Sequence, residues 1–207
     1  MSLAQEIHSG LLELTGQEPA PAQLDALDRY LGLLESWNKT YNLTAVRERG
    51  QMVTRHLLDS ISILPFISST RLLDAGTGAG LPGIPLAIYR PELELILLDS
   101  AGKKIRFLNH VCRELELTNV TTVQARLESF SPEQPFDEIV SRAFSSLATF
   151  AGAAYHLAPT RLLAMKGRYP AAEIDELPNW VKVQSVEKLR VPGLKEERHL
   201  VIMSVSP

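Results

Sequence analysis

Apolar residues in the first third of the chain recur every three or four positions, and from about residue 70 that spacing gives way to short continuous runs. Ile7, Leu11, Leu12 and Leu14 share one face of a first predicted helix. After the Pro19–Pro21 break, Leu24, Leu27, Tyr30, Leu31, Leu34 and Trp37 mark a second, amphipathic helix. A polar link containing Asn38, Asn42 and Gly50 leads to a third, with Val53, Leu57, Ile61 and Leu64 inward and Pro65 ending it. Beyond it, strand alternates with helix. Strand 71–74 precedes helix 81–89, strand 93–99 precedes helix 103–115, and strand 120–124 runs into a Pro-broken stretch. Strand 138–141 and helix 147–156 come next, then strand 161–166 and a short helix near 171–177. The last two strands, 181–189 and 198–205, are joined by a Pro-Gly loop with no room for a helix, so a parallel sheet should close with an antiparallel hairpin.

Composition narrows this α/β picture only modestly. A chain of 207 residues, 45% of them hydrophobic, is expected to form one structural unit, with a helical extension at 1–68 packed on a core at 69–207. No apolar run nears the ~20 residues that span a bilayer, and the N-terminus lacks the features of a secretory signal. The single Cys112 excludes an intramolecular disulfide or a multi-thiolate metal site, so a cytoplasmic protein without a metal is expected. The net charge of −3 makes no global case for nucleic acid. Basic residues nevertheless collect near strand ends, at Arg55, His56, Lys103, Lys104, Arg106, Arg126, Arg142 and Lys166. In an open α/β sheet those ends share an edge, where such residues form either one patch or separate solvated charges.

The chemistry concentrates in Asp74-Ala-Gly-Thr-Gly-Ala-Gly-Leu-Pro-Gly-Ile-Pro85. Gly76, Gly78 and Gly80 alternate between a strand and a helix start, which lets backbone amides approach a nucleotide-like ligand. Asp99 ends the next strand roughly 20 residues on, where an acid holds a ribose hydroxyl pair. Gly78-x-Gly80-x-x-Gly83 formally satisfies the dinucleotide fingerprint, so NAD(P) competes with S-adenosylmethionine as the cofactor. Three features favour the second. Asp74 is placed to brace the loop and reach the amino group of a cationic ligand. None of the five tyrosines has a lysine four residues on, the pair used by hydride-transferring reductases. The terminal hairpin is characteristic of seven-stranded S-adenosylmethionine methyltransferases.

Five collinear segments carry a resemblance: Trp37-Asn-Lys-Thr-Tyr-Asn-Leu-Thr44, Arg55-His-Leu-Leu-Asp-Ser60, the glycine segment, Leu98-Asp-Ser100 and Ser141-Arg-Ala-Phe144. From about residue 20 to Arg198-His199 the chain resembles the bacterial small-subunit rRNA (guanine-N7)-methyltransferase G family, also called glucose-inhibited division protein B. The resemblance implies a Rossmann-like class I methyltransferase that carries a methyl group from S-adenosylmethionine to N7 of guanine 527, in the 530 loop of 16S rRNA. It places cofactor contacts on Gly76, Leu81, Leu127, Glu128 and Arg142. Asp99, beside Ser100, matches the ribose position of the wider fold. Ala79 stands where some relatives carry proline.

Guanine N7 is an exposed acceptor without a proton to remove, so no general base is needed. Arg142 is the candidate catalytic residue, hydrogen-bonding guanine O6 or a phosphate, unless it pairs with a carboxylate such as Glu128 and only shapes the pocket. Phe144 either stacks on the target base or packs in the core. Arg55, His56 and Asp59 lie on one helical stretch, where the default is a salt-bridged surface and the alternative is RNA contact. Lys103, Lys104 and Arg106 open a helix against its dipole, which suits phosphate binding. Lys166, Arg198 and His199 complete the expected RNA-facing set. Cys112, mid-helix, is expected to pack and not to act as a nucleophile. The expected partner is 16S rRNA or the 30S subunit, the expected state a monomer with no obligatory protein partner. A nicotinamide-dependent reductase and a non-catalytic RNA-binding assembly factor are the rival readings.

Overall fold

The computed structural model describes residues 2–142 and 144–205, so Ala143 of the Ser141–Phe144 motif lies outside the described residues. Helix α1 (Leu3–Thr15) starts at a Ser2–Gln5 capping box and stops at Gly16 in the left-handed conformation. Helix α2 (Pro21–Tyr41) opens with proline at its first position, where the missing N–H costs nothing. The third predicted helix is more complex. A turn of α-helix, α3 (Arg49–Met52), passes into a π-helical stretch at Val53–Leu58 and back into α4 (Asp59–Ile61). Within the π-helical stretch Val53, His56, Leu57 and Leu58 are buried, as is every residue of α4. Pro65 then sits in a 3-10 turn, Leu64–Phe66.

The strands are β1 (Arg71–Ala75), β2 (Glu94–Asp99), β3 (Val120–Gln124), β4 (Glu138–Ser141), β5 (Arg161–Lys166), β6 (Val181–Lys188) and β7 (His199–Val205). They form one sheet in the order β3-β2-β1-β4-β5-β7-β6, with β7 antiparallel to both β5 and β6. Their character explains which hairpin strand goes inside. In β7, His199-Leu-Val-Ile-Met203 is buried throughout, as a strand covered on both faces must be. The edge strand β6 mixes buried and exposed positions and carries a bulge between Val183 and Ser185, which blunts the open edge.

Helices α5 (Gly83–Tyr89), α6 (Gly102–Glu114), α7 (Leu147–Ala154) and α8 (Ala171–Asp175) complete the layers. Alternate side chains of each strand face opposite ways. Leu72, Leu97, Leu163 and Leu200 join a core made with α1, α2, α5 and α6, while Leu73, Leu98, Leu162 and Val201 join a second core with Phe136 and α7. The helices of the first 68 residues therefore share their core with the sheet, and α2 packs on α5 and α6. Below the sheet, buried Glu138 accepts hydrogen bonds from Ser68 and Ser69 and pairs with Arg161 at 2.5 Å, tying the helix-to-strand link to β4 and β5.

Candidate functional site: two clefts at the strand ends

The C-terminal ends of β1, β2, β4 and β5 lie on one edge, together with the start of antiparallel β7. At the end of β1, Gly76, Gly78 and Gly80 all take positive φ. Gly80 tolerates no side chain: a Cβ would lie 2.5 Å from Ile84 and 2.8 Å from Leu108, and its φ is 90°. The N–H groups of Gly76 and Thr77 both donate to the Leu98 carbonyl, at 2.9 and 3.0 Å, locking the turn against β2. Beneath it, Asp74 Oδ2 accepts from Thr77 Oγ1 at 2.6 Å and from the Gly83 N–H at 2.9 Å. Its other oxygen, Oδ1, is buried with no hydrogen-bond partner. Burial pushes the Asp74 carboxyl up to about 6, against the pull of those two donors and of the Arg142 charge.

The first cleft, about 240 Å³, is lined by Gly76, Asp99, Ser100, Lys104, Leu127 and Glu128 among others. Asp99 accepts three hydrogen bonds and keeps acceptor capacity. Oδ2 accepts from the Gly78 N–H at 3.0 Å and from Lys104 Nζ at 3.1 Å, and Oδ1 from the Ala101 N–H at 2.9 Å. Lys104 thus borders this cleft and not the basic one. Its neighbour Lys103 caps α2 by donating to the Tyr41 carbonyl, and Arg106 is exposed. Phe144 borders the same cleft, with Arg126 and Lys104, and stacks on Phe150 at 5.1 Å. Leu81 ends the turn with its side chain in the core and its N–H donating to the Thr77 carbonyl. These residues fit an adenosine-bearing cation. Asp99 presents a strand-end carboxylate for ribose, and the orphaned Asp74 oxygen lies under the turn where an ammonium group would be neutralised.

The second cleft, about 330 Å³, is bordered by Arg55, His56, Asp59, Arg142, Lys166 and Arg198. The salt-bridged surface expected for Arg55 and Asp59 is absent. The π-helical stretch turns His56 and Asp59 inward, to 3% and 2% exposure, and Arg55 pairs with Glu196 instead. Asp59 Oδ2 accepts from Arg142 Nη1 at 3.0 Å and Oδ1 from Arg198 Nε at 2.9 Å. The carboxylate on Arg142 is therefore Asp59, not Glu128. Lys166 reaches Glu173 at 2.7 Å. His56 Nδ1 donates to the Arg55 carbonyl and Nε2 shares a hydrogen bond with Thr44 Oγ1, both at 2.9 Å. Burial first, then the Arg142 charge, lower its pKa to about 4. Thr44 is itself held through its N–H by buried Asn38 at 2.9 Å. His199, expected among the RNA-facing residues, is buried in β7 with its ring edge-on to Tyr169.

Arg142 lines the second cleft, and its charge also favours the ionised form of Asp74 under the glycine turn. Sequence reasoning set Asp59 on a helix surface and missed its burial between Arg142 and Arg198. A lone acid among Leu57, Leu58 and Ile61 was the available signal, because a buried carboxylate requires cationic partners. Cys112 is half-buried in α6, and burial pushes its thiol up to about 11, unlike an activated nucleophile. Among the described residues no cluster of His, Cys, Asp and Glu could hold a metal, and no helix is long and apolar enough to cross a membrane.

The sheet order, the glycine turn over Asp74 and the acid at the end of β2 define a Rossmann-like, S-adenosylmethionine-dependent methyltransferase. The family model described as rRNA small subunit methyltransferase G matches residues 23–201, and the chain belongs to that family. It is 52% identical over 202 residues to "Ribosomal RNA small subunit methyltransferase G" of Pseudomonas syringae pv. syringae, covering 97% of this chain and 94% of the relative. The protein of the same name from Vibrio vulnificus is 47% identical over 207 residues, covering 99% and 98%. Among solved structures, the 16S rRNA methylase RmtB shares the fold with TM-score 0.54 at 15% identity, covering 96% of this chain and 80% of its own. M. jannaschii TYW2 in complex with AdoMet matches with TM-score 0.53 at 14% identity, covering 72% and 76%.

Proposed function

We propose that this chain transfers the methyl group of S-adenosylmethionine to N7 of guanine 527 in the 530 loop of 16S rRNA, acting in the cytoplasm as a monomer on rRNA or the 30S subunit. The observation that carries the reading is that one end of the sheet holds both a cleft with the strand-end Asp99, suited to the cofactor, and a basic cleft with Arg142, suited to RNA. Family membership supports the rRNA substrate; the base and atom rest on the motif resemblance.

When bound, the cofactor supplies a methyl group already activated on a sulfonium. Asp99 and Ser100 hold the ribose side, and Asp74 neutralises the amino end from below. Gly76 and Leu127 shape the walls between them. Guanine N7 offers a lone pair and no proton, so the protein's task is alignment, which can be worth about 7–11 kcal/mol. Arg142 is suited to that task. Its guanidinium, held by Asp59, is placed to donate to guanine O6, the acceptor beside N7, or to a neighbouring phosphate. Arg55, Lys166 and Arg198 face the RNA strand around it.

Methyl transfer from radiolabelled S-adenosylmethionine to 16S rRNA and to 30S particles from cells lacking the gene tests this, with N7-methylguanine mapped by borohydride–aniline cleavage. One new cleavage at guanine 527 is expected. Label at another position overturns the site assignment. S-adenosylmethionine binding without transfer to any RNA favours the assembly-factor reading, and nicotinamide binding in its place favours a reductase.

A further inference from the structure

The basic cleft is assembled from chain segments far apart in sequence. Sheet order places Arg142 just after β4, Lys166 at the end of β5 and Arg198 just before antiparallel β7, on three neighbouring strands at one edge. The outer two start about 10 Å apart, two strand spacings. Their side chains nevertheless converge on one carboxylate, Asp59, whose side chain is 3% exposed and whose two oxygens each take one guanidinium. Further bonds fix the convergence: Arg142 Nη1 also donates to the Arg55 carbonyl at 3.1 Å, and Arg198 Nη1 to the Glu197 carbonyl at 2.8 Å. The other two cations differ, for Arg55 and Lys166 pair with Glu196 and Glu173, both more exposed than Asp59.

We propose that Asp59 is a positioning residue that sets Arg142 and Arg198 as a two-pronged clamp for a backbone phosphate of the RNA beside the target nucleotide. Each guanidinium carries five N–H donors in a rigid fork. Anchoring one or two of them on Asp59 from behind fixes the plane of the fork, and both side chains border the cavity. Two unbridged guanidiniums would repel and swing apart. Asp59 holds them close enough to share one anion, and the charge-assisted bonds that follow are directional. The inference rests on RNA being the substrate, and on no further detail of the methylation chemistry.

The sign of one substitution separates positioning from simple electrostatics. Asp59→Asn removes a negative charge from a basic cleft, which by charge alone tightens binding of a polyanion. Positioning requires the reverse. Equilibrium binding of the full chain to 30S particles from cells lacking the gene should weaken about tenfold in Asp59→Asn. Arg198→Gln, which leaves Asp59 on Arg142, should weaken RNA binding and reduce the slope of log affinity against log salt by about one. The double variant should bind no more weakly than the worse single one, because the residues act as a unit. RNA binding that is unchanged or tighter in Asp59→Asn overturns the proposal. If Asp59→Asn does not fold, an unchanged salt slope in Arg198→Gln overturns it alone. Weakened binding in both, with no N7-methylguanine made by the unsubstituted protein, leaves the clamp standing and removes the methylation reading.

Discussion

The Tyr30 hydroxyl donates a 2.8 Å hydrogen bond to the Ala79 carbonyl, joining α2 to the glycine turn. Both residues are buried, and burial pushes the Tyr30 hydroxyl's pKa well above its ordinary value, so it remains a donor at every physiological pH. The helices before the sheet therefore hold the cofactor turn as well as share the core.

Tyr30→Phe keeps the ring and strands the Ala79 carbonyl. A buried acceptor left without a partner costs about 1–3 kcal/mol. The urea midpoint should fall accordingly, and calorimetric titration should show weaker S-adenosylmethionine binding. Loss of stability with unchanged affinity would mean that the turn keeps its shape without α2.

Two glycines should respond in opposite directions. A Cβ at Gly83 would stand 2.2 Å from Leu97 and 2.8 Å from Asp74 Oδ2, in the contact between α5 and the sheet. Gly83→Ala should cost about 1–3 kcal/mol by overpacking. Gly152, inside α7, has nothing within 4 Å of the same position, and Gly152→Ala should stabilise by about 0.4–1 kcal/mol through the unfolded state. Chemical denaturation of both variants checks the pair.

Asp74 gives cofactor binding a pH dependence. Its carboxyl is raised to about 6, so below that pH a bound cation must displace a proton. Affinity for S-adenosylmethionine should be flat above pH 6 and fall by about tenfold per unit below it. In Asp74→Asn the affinity should be low and the slope absent. A wild-type profile that stays level from pH 7 to 5 would remove the cation-binding role of Asp74.

His56 makes an opposite contribution to stability. Its pKa falls to about 4 in the folded chain from the ordinary 6.5, so the unfolded chain binds more protons between those values. The stability it provides is complete above pH 6.5 and is lost as pH falls toward 4. Asp74, raised, acts the other way: the fold gains as pH falls from about 6 through the ordinary carboxyl range. His56→Gln should therefore lose stability less steeply than wild type on acidification from 6.5 to 4, and Asp74→Asn more steeply. Thermal midpoints across that range measure both differences.

The cofactor turn was legible from residues alone, because its determinants are local. Asp74, the three alternating glycines and Pro82 lie in one short segment, and Asp99 is one strand–helix unit further on. The alternation of strand and helix was legible for the same reason, since periodicity reports which face of a segment is covered. Even the placement of β7 inside β6 has a local signature, a continuous apolar run against a mixed one.

The basic cleft had no such signature. Asp59 meets Arg142 across 83 residues and Arg198 across 139, and no periodicity encodes a pairing between a helix and two strands that are not neighbours in the sheet. The π-helical stretch added to the difficulty. A regular 3.6-residue period makes Arg55 and Asp59 a surface pair, whereas the wider turn carries Asp59 inward. Lys104 likewise belongs to the cofactor cleft only because α6 starts directly beyond the end of β2 and turns this lysine onto Asp99. The chain's own pattern thus settles its elements, the cofactor turn and the acid beyond it, all set by neighbours in sequence. Folding in three dimensions settles which charges meet, because a buried carboxylate takes whichever cations the sheet order brings within hydrogen-bond reach.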